Sequence, residues 1–378
     1  MNKIKVLRVI TQSEVVWWHL KNFLDRSVDF EIFIVGDNVT KYSKRFPNVN
    51  FIDLKIKRKT NLVLDLLALF KLIYLIFKIK PNIVHTIMPK AGLIGSIAAK
   101  INFIPIRIHT FTGVVWYNYS GYKRKLFKNI DKIIFLLNTD CLTDSNSQTN
   151  FFEKNGFIHK NKKLSHLGKG SLNGVDLKRF NNKIDVIKLK NKFKINDDDF
   201  VFMFLARKTI QKGIIDVFEA LNEFKNYKNI KFFFIGPDES NGELKKIYHK
   251  YHYLRDKIID LDIIENHENF LSITDVLLLP SYNEGFGSIV IEASAMKVPT
   301  ISYKCIGLED SIEHDKSGIL IKRGDIKKFA SSMKDLILDK NKLNSLREYG
   351  YQRIINYFSA DYIYNELKSF YLNKLSEY

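Results

Sequence analysis

Strand-like apolar runs that alternate with helical patterns constrain the fold of this chain more than any other feature. In the first half they predict strands at residues 6–10, 30–35, 51–54, 83–86, 106–110, 133–137 and 141–144. Helical patterns occupy residues 17–24, 62–80, 91–101 and 147–154. The alternation restarts with strands at 200–205, 231–235, 276–279, 300–303 and 318–321. Each half is therefore predicted to be an α/β domain whose parallel sheet is covered by helices on both faces.

The length of 378 residues suits two domains of ordinary size, and a hydrophobic content of 46% supports sizeable cores rather than disorder. We predict a first domain at residues 1–180 and a second at 199–358. A linker with a short helix is predicted at 181–198, where apolar periodicity is partly lost, and a terminal helix at 359–378. The N-terminus alternates charged with apolar residues and lacks the apolar run of a signal peptide, which favours a cytoplasmic protein.

The segment from 276 to 293 gives the clearest indication of function. A predicted strand ends at Pro280, a loop with two glycines follows, and a helix then begins whose first turns carry Glu292, eight positions after Glu284. Such a strand end and helix N-terminus form a site for an anionic ligand, because backbone N–H groups and the helix dipole point at it. Glutamates beside this site would repel phosphate, so their favoured targets are hydroxyl groups. A ligand that offers both phosphates and hydroxyls is a nucleotide sugar.

With this segment the chain resembles the retaining glycosyltransferases of family 4, whose signature is Glu-x7-Glu after a Pro-Ser strand end. Three other segments are similar to the family's motifs in the same order: IRIHTFTG at 106–113, NGVDLKRF at 173–180 and FLARKTIQKG at 204–213. The resemblance covers nearly the whole chain. It implies a GT-B fold, with two Rossmann-like domains facing across a cleft and a C-terminal helix that crosses back to the first domain.

The resemblance also implies a set of donor-binding residues. Arg207 and Lys212 match two cations that bind the diphosphate, Glu284 is expected to accept a hydrogen bond from the donor sugar, and Glu292 from the ribose. The loop residues Gly285, Phe286, Gly287 and Ser288 are expected to contact the sugar and phosphates. Gly236, which follows the strand at 231–235, is expected to shape the uridine end of the pocket. The alternatives are structural ion pairs for the two cations, and an ordinary surface position for Glu292.

Fixed cations near the leaving diphosphate lower the barrier, because the diphosphate gains charge in the transition state. Arg207 and Lys212 could therefore take the place of a metal ion. No Asp-x-Asp stands in a loop suited to holding a metal. We expect no cofactor and no metal, with the UDP-sugar as a substrate.

On the acceptor side the chain departs from the family's common His-Thr-Phe-His-Gly pattern. Thr112 stands at the place of the second histidine, and His109 is retained. Both are candidate catalytic residues, but Thr112 is a poor base. In a retaining front-face mechanism the leaving phosphate oxygen can itself take the acceptor's proton. The alternative for His109 is an interior strand histidine.

The net charge of +19 is unevenly distributed. Residues 1–180 contain 30 Lys and Arg against 12 Asp and Glu, a balance of +18, whereas residues 181–378 contain 30 against 29, a balance of +1. A basic surface can meet nucleic acid, anionic lipid or an anionic substrate. A lysine-rich composition alone would affect both halves.

The predicted helix at 62–80 is apolar almost all round, and two alternatives fit it. It is either a fully packed core helix or one whose outer face lies in a membrane interface. The charges of Asp65, Lys71 and Lys78 argue against a span. Candidate contacts with anionic headgroups lie in two basic runs: Lys57, Arg58 and Lys59, and Lys123, Arg124 and Lys125 near Trp116, Tyr117, Tyr119 and Tyr122.

These observations favour a retaining transferase, peripheral on the inner face of the plasma membrane, that moves a sugar from a UDP-sugar to a lipid-linked saccharide. The motifs are most similar to bacterial enzymes acting on undecaprenyl-diphosphate-linked sugars in capsule, O-antigen or protein-glycan assembly. UDP-N-acetylgalactosamine is the first candidate donor, followed by UDP-galactose and UDP-uronic acid. The rivals of the same fold are a transferase acting on soluble glycans and a UDP-sugar 2-epimerase. A nucleic-acid-binding protein is the rival of another class, although no RNA-binding signature is present and we expect no nucleic-acid partner.

Overall fold

The computed structural model describes residues 3–57, 61–160, 162, 164–181 and 186–377. The chain forms two compact units. Unit 1 comprises Met1–Gly174 together with Ala360–Tyr378, and unit 2 comprises Val175–Ser359. The chain therefore leaves unit 1 after residue 174 and returns to it for its last helix.

Unit 1 contains a parallel sheet in the order β3-β2-β1-β4-β5-β6-β7. The strands are β1 (Ile4–Gln12), β2 (Phe30–Asp37), β3 (Val49–Asp53), β4 (Ile83–Ile87), β5 (Ile106–Phe111), β6 (Asp140–Thr143) and β7 (Leu164–His166). The helices are α1 (Lys21–Leu24), α2 (Leu62–Ile79), α3 (Pro89–Ile101), α4 (Gly121–Leu137) and α5 (Asn146–Lys154), with a π-helical turn at Val16–Leu20 and a 3₁₀ turn at Thr40–Tyr42.

Unit 2 contains a second parallel sheet, in the order β10-β9-β8-β11-β12-β13. Its strands are β8 (Phe200–Leu205), β9 (Ile230–Ile235), β10 (Ile258–Leu261), β11 (Val276–Leu279), β12 (Thr300–Tyr303) and β13 (Gly318–Ile321). Its helices are α6 (Val186–Phe193), α7 (Ile214–Leu221), α8 (Glu243–Lys250), α9 (His267–Leu271), α10 (Ser288–Ala295), α11 (Leu308–Ser311), α12 (Ile326–Leu338) and α13 (Lys340–Tyr357), with 3₁₀ turns at Ile210–Lys212, Asn222–Phe224 and His252–Lys257.

Both sheets carry an apolar core on each face, which confirms the predicted α/β class. In unit 1, alternate residues of β1 face opposite cores, with Val6 and Ile10 on one side and Leu7 and Val9 on the other. In unit 2, Phe202 and Met203 on β8 divide in the same way. Burial on both faces explains why these strands read as continuous apolar runs rather than as alternating patterns.

The last helix, α14 (Ala360–Ser376), packs on unit 1 and confirms the predicted return to the first domain. Leu367 and Tyr371 lie in the core with α1 and β2. The Tyr371 hydroxyl accepts a 2.8 Å hydrogen bond from the buried guanidinium of Arg8 and lies 2.6 Å from Nδ1 of His85. Burial lowers the pKa of His85 well below its ordinary value, and the nearby charge of Arg8 lowers it further. A neutral His85 thus links β4 to the terminal helix.

The predicted strand at 133–137 is wrong, because these residues form the last turns of α4. Ile134 and Phe135 are buried, whereas Ile133 and Leu136 are exposed, which is the pattern of a helix with one face on the core. Strands β7 and β10 were not predicted. β7 has 3 residues and β10 has 4, one of them Asp260, so neither has a long apolar run.

The structure excludes one of the two alternatives for the helix at 62–80. Only Ala68, Leu72 and Ile76 of α2 are buried, so the interpretation as a fully packed core helix is wrong. Its large apolar side chains on the other faces are 52% to 76% exposed: Leu62, Val63, Leu66, Leu67, Phe70, Tyr74 and Phe77.

Trp116 does not lie at an exposed surface, contrary to the prediction of an interfacial aromatic group. It is completely buried, and its indole N–H donates to the carboxylate of Asp131 at 2.9 Å. Tyr119 and Tyr122 are exposed. Of the first predicted basic run, Lys57 is exposed, while Arg58 and Lys59 lie outside the described residues. In the second run, Lys123 and Lys125 are exposed on α4 and Arg124 is partly buried.

Candidate active site

The site in unit 2 lies where the strand order changes direction, between β8 and β11. In open parallel sheets, ligands bind outside the carboxyl ends of the strands at this switch point. The loop after β8 carries Arg207 and Lys212, and the loop after β11 carries Glu284. The sheet topology therefore brings these three predicted residues to one edge.

Gly213 allows these two loops to meet. Its φ of +76° lies in the left-handed region, and a Cβ at this position would stand 2.2 Å from the carbonyl oxygen of Pro280. The Thr209 hydroxyl accepts a 3.2 Å hydrogen bond from the backbone N–H of Lys212 and holds the intervening turn. The Lys212-Gly213 segment thus packs directly against the strand end at Pro280-Ser281.

Lys212 and Glu284 form an ion pair in which Oε1 of Glu284 also accepts a 2.8 Å hydrogen bond from the hydroxyl of Ser281. The two side chains are 19% and 13% exposed. Little water screens this pair, so the loss of one partner leaves a poorly compensated charge. The structural ion pair that was the alternative interpretation of Lys212 is therefore present in the structure.

Arg207 contacts a carboxylate that the sequence did not single out. Its Nη1 lies 2.8 Å from Oε2 of Glu239, in the loop after β9, and both side chains are about half exposed. An exposed pair of this kind contributes about 0.2–1 kcal/mol. The guanidinium can therefore exchange Glu239 for a more highly charged anion at little cost.

A pocket of about 250 Å³ opens beside these loops. Most of its lining is apolar, and the lining residues are Leu205, Ala206, Ile235, Gly236, Pro237, Ile263, Ile264, His267, Ile289 and Glu292. Gly236 has a φ of +134°, and a Cβ there would lie 2.1 Å from the carbonyl oxygen of Ala206. Glycine is thus required for β8 and β9 to end side by side at the pocket.

Glu292 lines this pocket from α10 and is not an ordinary surface residue. Its Oε2 lies 2.9 Å from Nε2 of His267, at the start of α9. Sequence reasoning missed His267, because its partner stands 25 positions away and only the fold brings them together.

The loop before α10 is anchored by its aromatic residue. Phe286 is buried, and its ring lies 5.4 Å from that of Phe358. Gly287 and Ser288 stand at the N-terminus of α10, where the first backbone N–H groups have no partner within the helix. Gly285 precedes them in the same loop. The positive end of the helix dipole therefore points towards the edge that carries Lys212.

The acceptor-side candidates lie in unit 1. Thr112 follows β5 and is partly buried. His109 is fully buried; its Nδ1 lies 2.8 Å from the Thr86 hydroxyl and its ring contacts Gly92. Burial lowers its pKa to about 3. This is the placement of an interior strand histidine, although its catalytic role stays a prediction.

Asp144 is a buried carboxyl group that the sequence analysis did not select. It follows β6 directly, and its Oδ1 has no hydrogen-bond partner among the described residues. Burial raises its pKa to about 8. A polar residue at the carboxyl end of a predicted strand was a signal that could have identified it.

Within the part of the chain that the structure describes, no group of three or more His, Cys, Asp and Glu side chains could hold a metal ion. None of the described helices is both long enough and apolar enough to cross a membrane.

Comparison with known proteins agrees with this geometry. Residues 5–147 match the Glycosyl transferase 4-like family, and residues 185–353 match the family Glycosyl transferases group 1. The chain is 31% identical, over 93% of its length and 92% of the relative, to the capsular polysaccharide biosynthesis glycosyltransferase CapM of Staphylococcus aureus. The chain belongs to the family 4-like glycosyltransferases.

A second relative of this glycosyltransferase carries a more specific name. It is the UDP-Gal:alpha-D-GlcNAc-diphosphoundecaprenol alpha-1,3-galactosyltransferase of Escherichia coli, 28% identical over 84% of this chain and 81% of the relative. Among solved structures, the Anabaena protein Alr3699/HepE in complex with UDP and glucose aligns with a TM-score of 0.83 at 14% identity, over 98% of this chain and all of that one. A glycosyltransferase from Rickettsia africae aligns with a TM-score of 0.82 at 20% identity, over 99% of both chains. These structural likenesses show the GT-B fold.

Proposed function

We propose that this glycosyltransferase moves a sugar from a UDP-sugar to a lipid-linked saccharide in bacterial surface polysaccharide or glycan synthesis, with retention of configuration. The observation that carries the proposal is one sheet edge in unit 2. It joins Arg207, Lys212 and Glu284 to the pocket that Glu292 lines. The cations suit a diphosphate, the carboxylates suit hydroxyl groups, and the apolar pocket suits a nucleobase.

The donor binds by exchange of existing contacts. The diphosphate displaces Glu239 from Arg207 and approaches Lys212, while Glu284 accepts a hydrogen bond from a sugar hydroxyl. Negative charge then grows on the leaving diphosphate, and the two cations and the N-terminus of α10 stabilise it. These charges are fixed in the protein before the reaction, so little reorganisation is needed.

The acceptor's proton goes to the leaving phosphate oxygen in this proposal. Thr112 is a poor base. The ring of His109 is enclosed by the core of unit 1, so it is badly placed to reach an acceptor. In a front-face reaction the leaving phosphate oxygen departs on the same face as that on which the new bond forms. This oxygen can therefore accept the proton of the acceptor hydroxyl, and no protein base is needed.

The lipid-linked acceptor implies that the enzyme works at a membrane, and the helices on one face of unit 1 support this. α3 packs against both α2 and α4. Besides the exposed apolar residues of α2, α4 exposes Tyr122, Leu126, Ile133 and Leu136. We name these exposed side chains of α2 and α4 the apolar face. Soluble proteins seldom expose large apolar patches without a partner.

The charges on the same helices support lipid as the proposed occupant of the apolar face. Lys71, Lys78, Lys123 and Lys125 lie exposed on the same two helices, whereas Asp65 of α2 is paired with Lys90 at 3.0 Å. A surface that combines apolar side chains with lysines fits the interface of an anionic bilayer, where the apolar groups enter the acyl boundary and the cations meet headgroups.

The CapM name supports a role in polysaccharide assembly, and the E. coli relative's name supports an undecaprenyl-diphosphate-linked acceptor. UDP-N-acetylgalactosamine remains our first candidate donor. The same relative is named for UDP-galactose, so we propose to test that donor beside it.

A screen of nucleotide sugars against the purified chain tests the donor proposal. We expect UDP-sugars to raise the melting temperature and ADP- or GDP-sugars to have little effect, with bound donor seen by native mass spectrometry. The Glu292→Ala variant should lose this stabilisation. Equal stabilisation of both proteins by UDP would contradict a donor site at Glu292.

A further inference from the structure

We propose that His267 holds Glu292 in the orientation in which its carboxylate receives the ribose hydroxyls. In this role His267 sets both the affinity for UDP and the preference for ribose over 2′-deoxyribose. The inference rests on the proposed function, since it names a positioning residue for the same nucleotide site.

The pocket contains one polar pair. Among the described residues that line it, only His267 and Glu292 carry ionisable side chains. Nε2 of His267 lies 2.9 Å from Oε2 of Glu292, and the two side chains are 21% and 24% exposed. A donor N–H at Nε2 occupies one carboxylate oxygen, so Oε1 and the remaining lone pairs of Oε2 face incoming hydroxyl groups.

His267 is itself fixed by a second set of contacts. Its ring lies 5.5 Å from that of Phe180, which is buried in the core of unit 2. The neighbouring Arg179 pairs with Glu268 at 2.7 Å, on the residue that follows His267. The first turn of α9 is therefore held on two successive positions.

These contacts give the Asn-Gly-Val-Asp-x-x-x-Phe segment a role at the nucleotide site. Phe180 is its last residue, and it supports the ring of His267, which in turn contacts Glu292. A chain of three side chains thus connects the start of unit 2 to the pocket. A carboxylate that is held before binding loses less conformational entropy when the nucleotide arrives.

The test compares the binding of UDP and 2′-deoxy-UDP by calorimetry. We expect His267→Ala to weaken UDP binding about tenfold, the equivalent of one hydrogen bond to a charged group. We also expect it to reduce the preference for UDP over 2′-deoxy-UDP. His267→Gln should restore most of the affinity, because the amide nitrogen of Gln reaches the position of Nε2.

A double-mutant cycle separates positioning from a general structural effect. In the Glu292→Gln background, His267→Ala should change UDP affinity less than about twofold, because the carboxylate that it orients is absent. A tenfold loss in that background would overturn the inference, as would wild-type UDP binding by His267→Ala. If Glu292→Gln alone left UDP affinity unchanged, the proposed donor site itself would be wrong.

Discussion

The basic residues of the two units differ in what surrounds them. In unit 2, Arg207 and Lys212 each contact a carboxylate. On α2 and α4 of unit 1, Lys71, Lys78, Lys123 and Lys125 have no ion pair among the described residues and stand beside exposed apolar side chains. Both groups are cationic, but only the first has ion-pair partners among the residues that the structure describes.

This difference parallels the uneven charge of the sequence. Residues 181–378 balance at +1, and the proposed donor site there contains both cations and carboxylates. Residues 1–180 carry +18, and in our proposal an anionic membrane surface supplies the balancing negative charge. We therefore interpret a cation that is paired with a carboxylate as a site for a small ligand, which displaces that carboxylate. We interpret cations without such a pair, beside exposed apolar side chains, as a surface for an extended partner such as a membrane.

Removal of a cation from the donor site should have the largest effect. Lys212→Ala is expected to lower the transfer rate by a factor of about 100 or more, because the leaving diphosphate loses a fixed charge and Glu284 is left unpaired. UDP-sugar turnover measured with a lipid-linked acceptor checks this expectation.

Lys228→Ala is the matched control, since Lys228 is an exposed lysine of the same unit. It should leave turnover unchanged. Equal rates for the two variants would mean that Lys212 has no role in transfer.

Introduction of negative charge on the apolar face should have the next largest effect. Phe70→Glu combined with Tyr74→Glu is expected to weaken cosedimentation with anionic vesicles about tenfold, because two carboxylates must then enter a negative interface. UDP binding should not change, since both residues lie in unit 1.

Leu338→Glu provides the control, because Leu338 is an even more exposed apolar residue but lies on α12 of unit 2. It should not alter vesicle binding. Strong binding of the wild type to RNA, with none to vesicles, would replace the lipid surface by nucleic acid as the partner of unit 1.

The fold was predictable from the sequence wherever burial is uniform. β8 and β11 are buried on both faces, so their apolar runs identified them. The run at 133–137 failed as a predictor because Ile133 and Leu136 are apolar and yet exposed. Apolar residues on the outside of α4 imitate a buried strand, because the sequence pattern does not distinguish an exposed apolar side chain from a buried one.

The site was predictable to the extent that its residues follow strands directly. Lys212, Glu284 and Glu292 were found because short motifs place them after β8 and β11. The contacts of Arg207 with Glu239 and of Glu292 with His267 join positions 32 and 25 apart, and no local pattern indicates such pairs.

The buried carboxyl group of unit 1 provides a further comparison, because Asp144 has no ion-pair partner among the described residues, whereas Glu284 pairs with Lys212. Its pKa of about 8 exceeds the ordinary value of about 3.9, so the folded state binds the proton more tightly than the unfolded state. This contribution to stability is complete below about pH 4 and is lost as the pH rises through 8.

Asp144→Asn should therefore melt a few degrees higher than the wild type at pH 8.5, and the difference should shrink at pH 5.5; calorimetry at about 0.5 pH intervals would follow this trend. The control Asp197→Asn changes a side chain that is 99% exposed, so this variant should melt close to the wild type at pH 8.5. A pH-independent difference for Asp144→Asn would mean that this carboxyl does not titrate between the two states.

The smallest effect should come from the exposed pair of unit 2. Glu239→Gln removes the carboxylate that competes with a diphosphate for Arg207, so UDP affinity should rise about two- to threefold, since an exposed pair contributes less than about 1 kcal/mol. The gain should fade at high salt, where the pair is already screened. Glu243→Gln is the control, because Glu243 begins the next helix and pairs with Lys246 instead. Weaker UDP binding by Glu239→Gln would mean that Glu239 belongs to the donor site rather than competing with the donor, and the exchange of partners at Arg207 would then have to be abandoned.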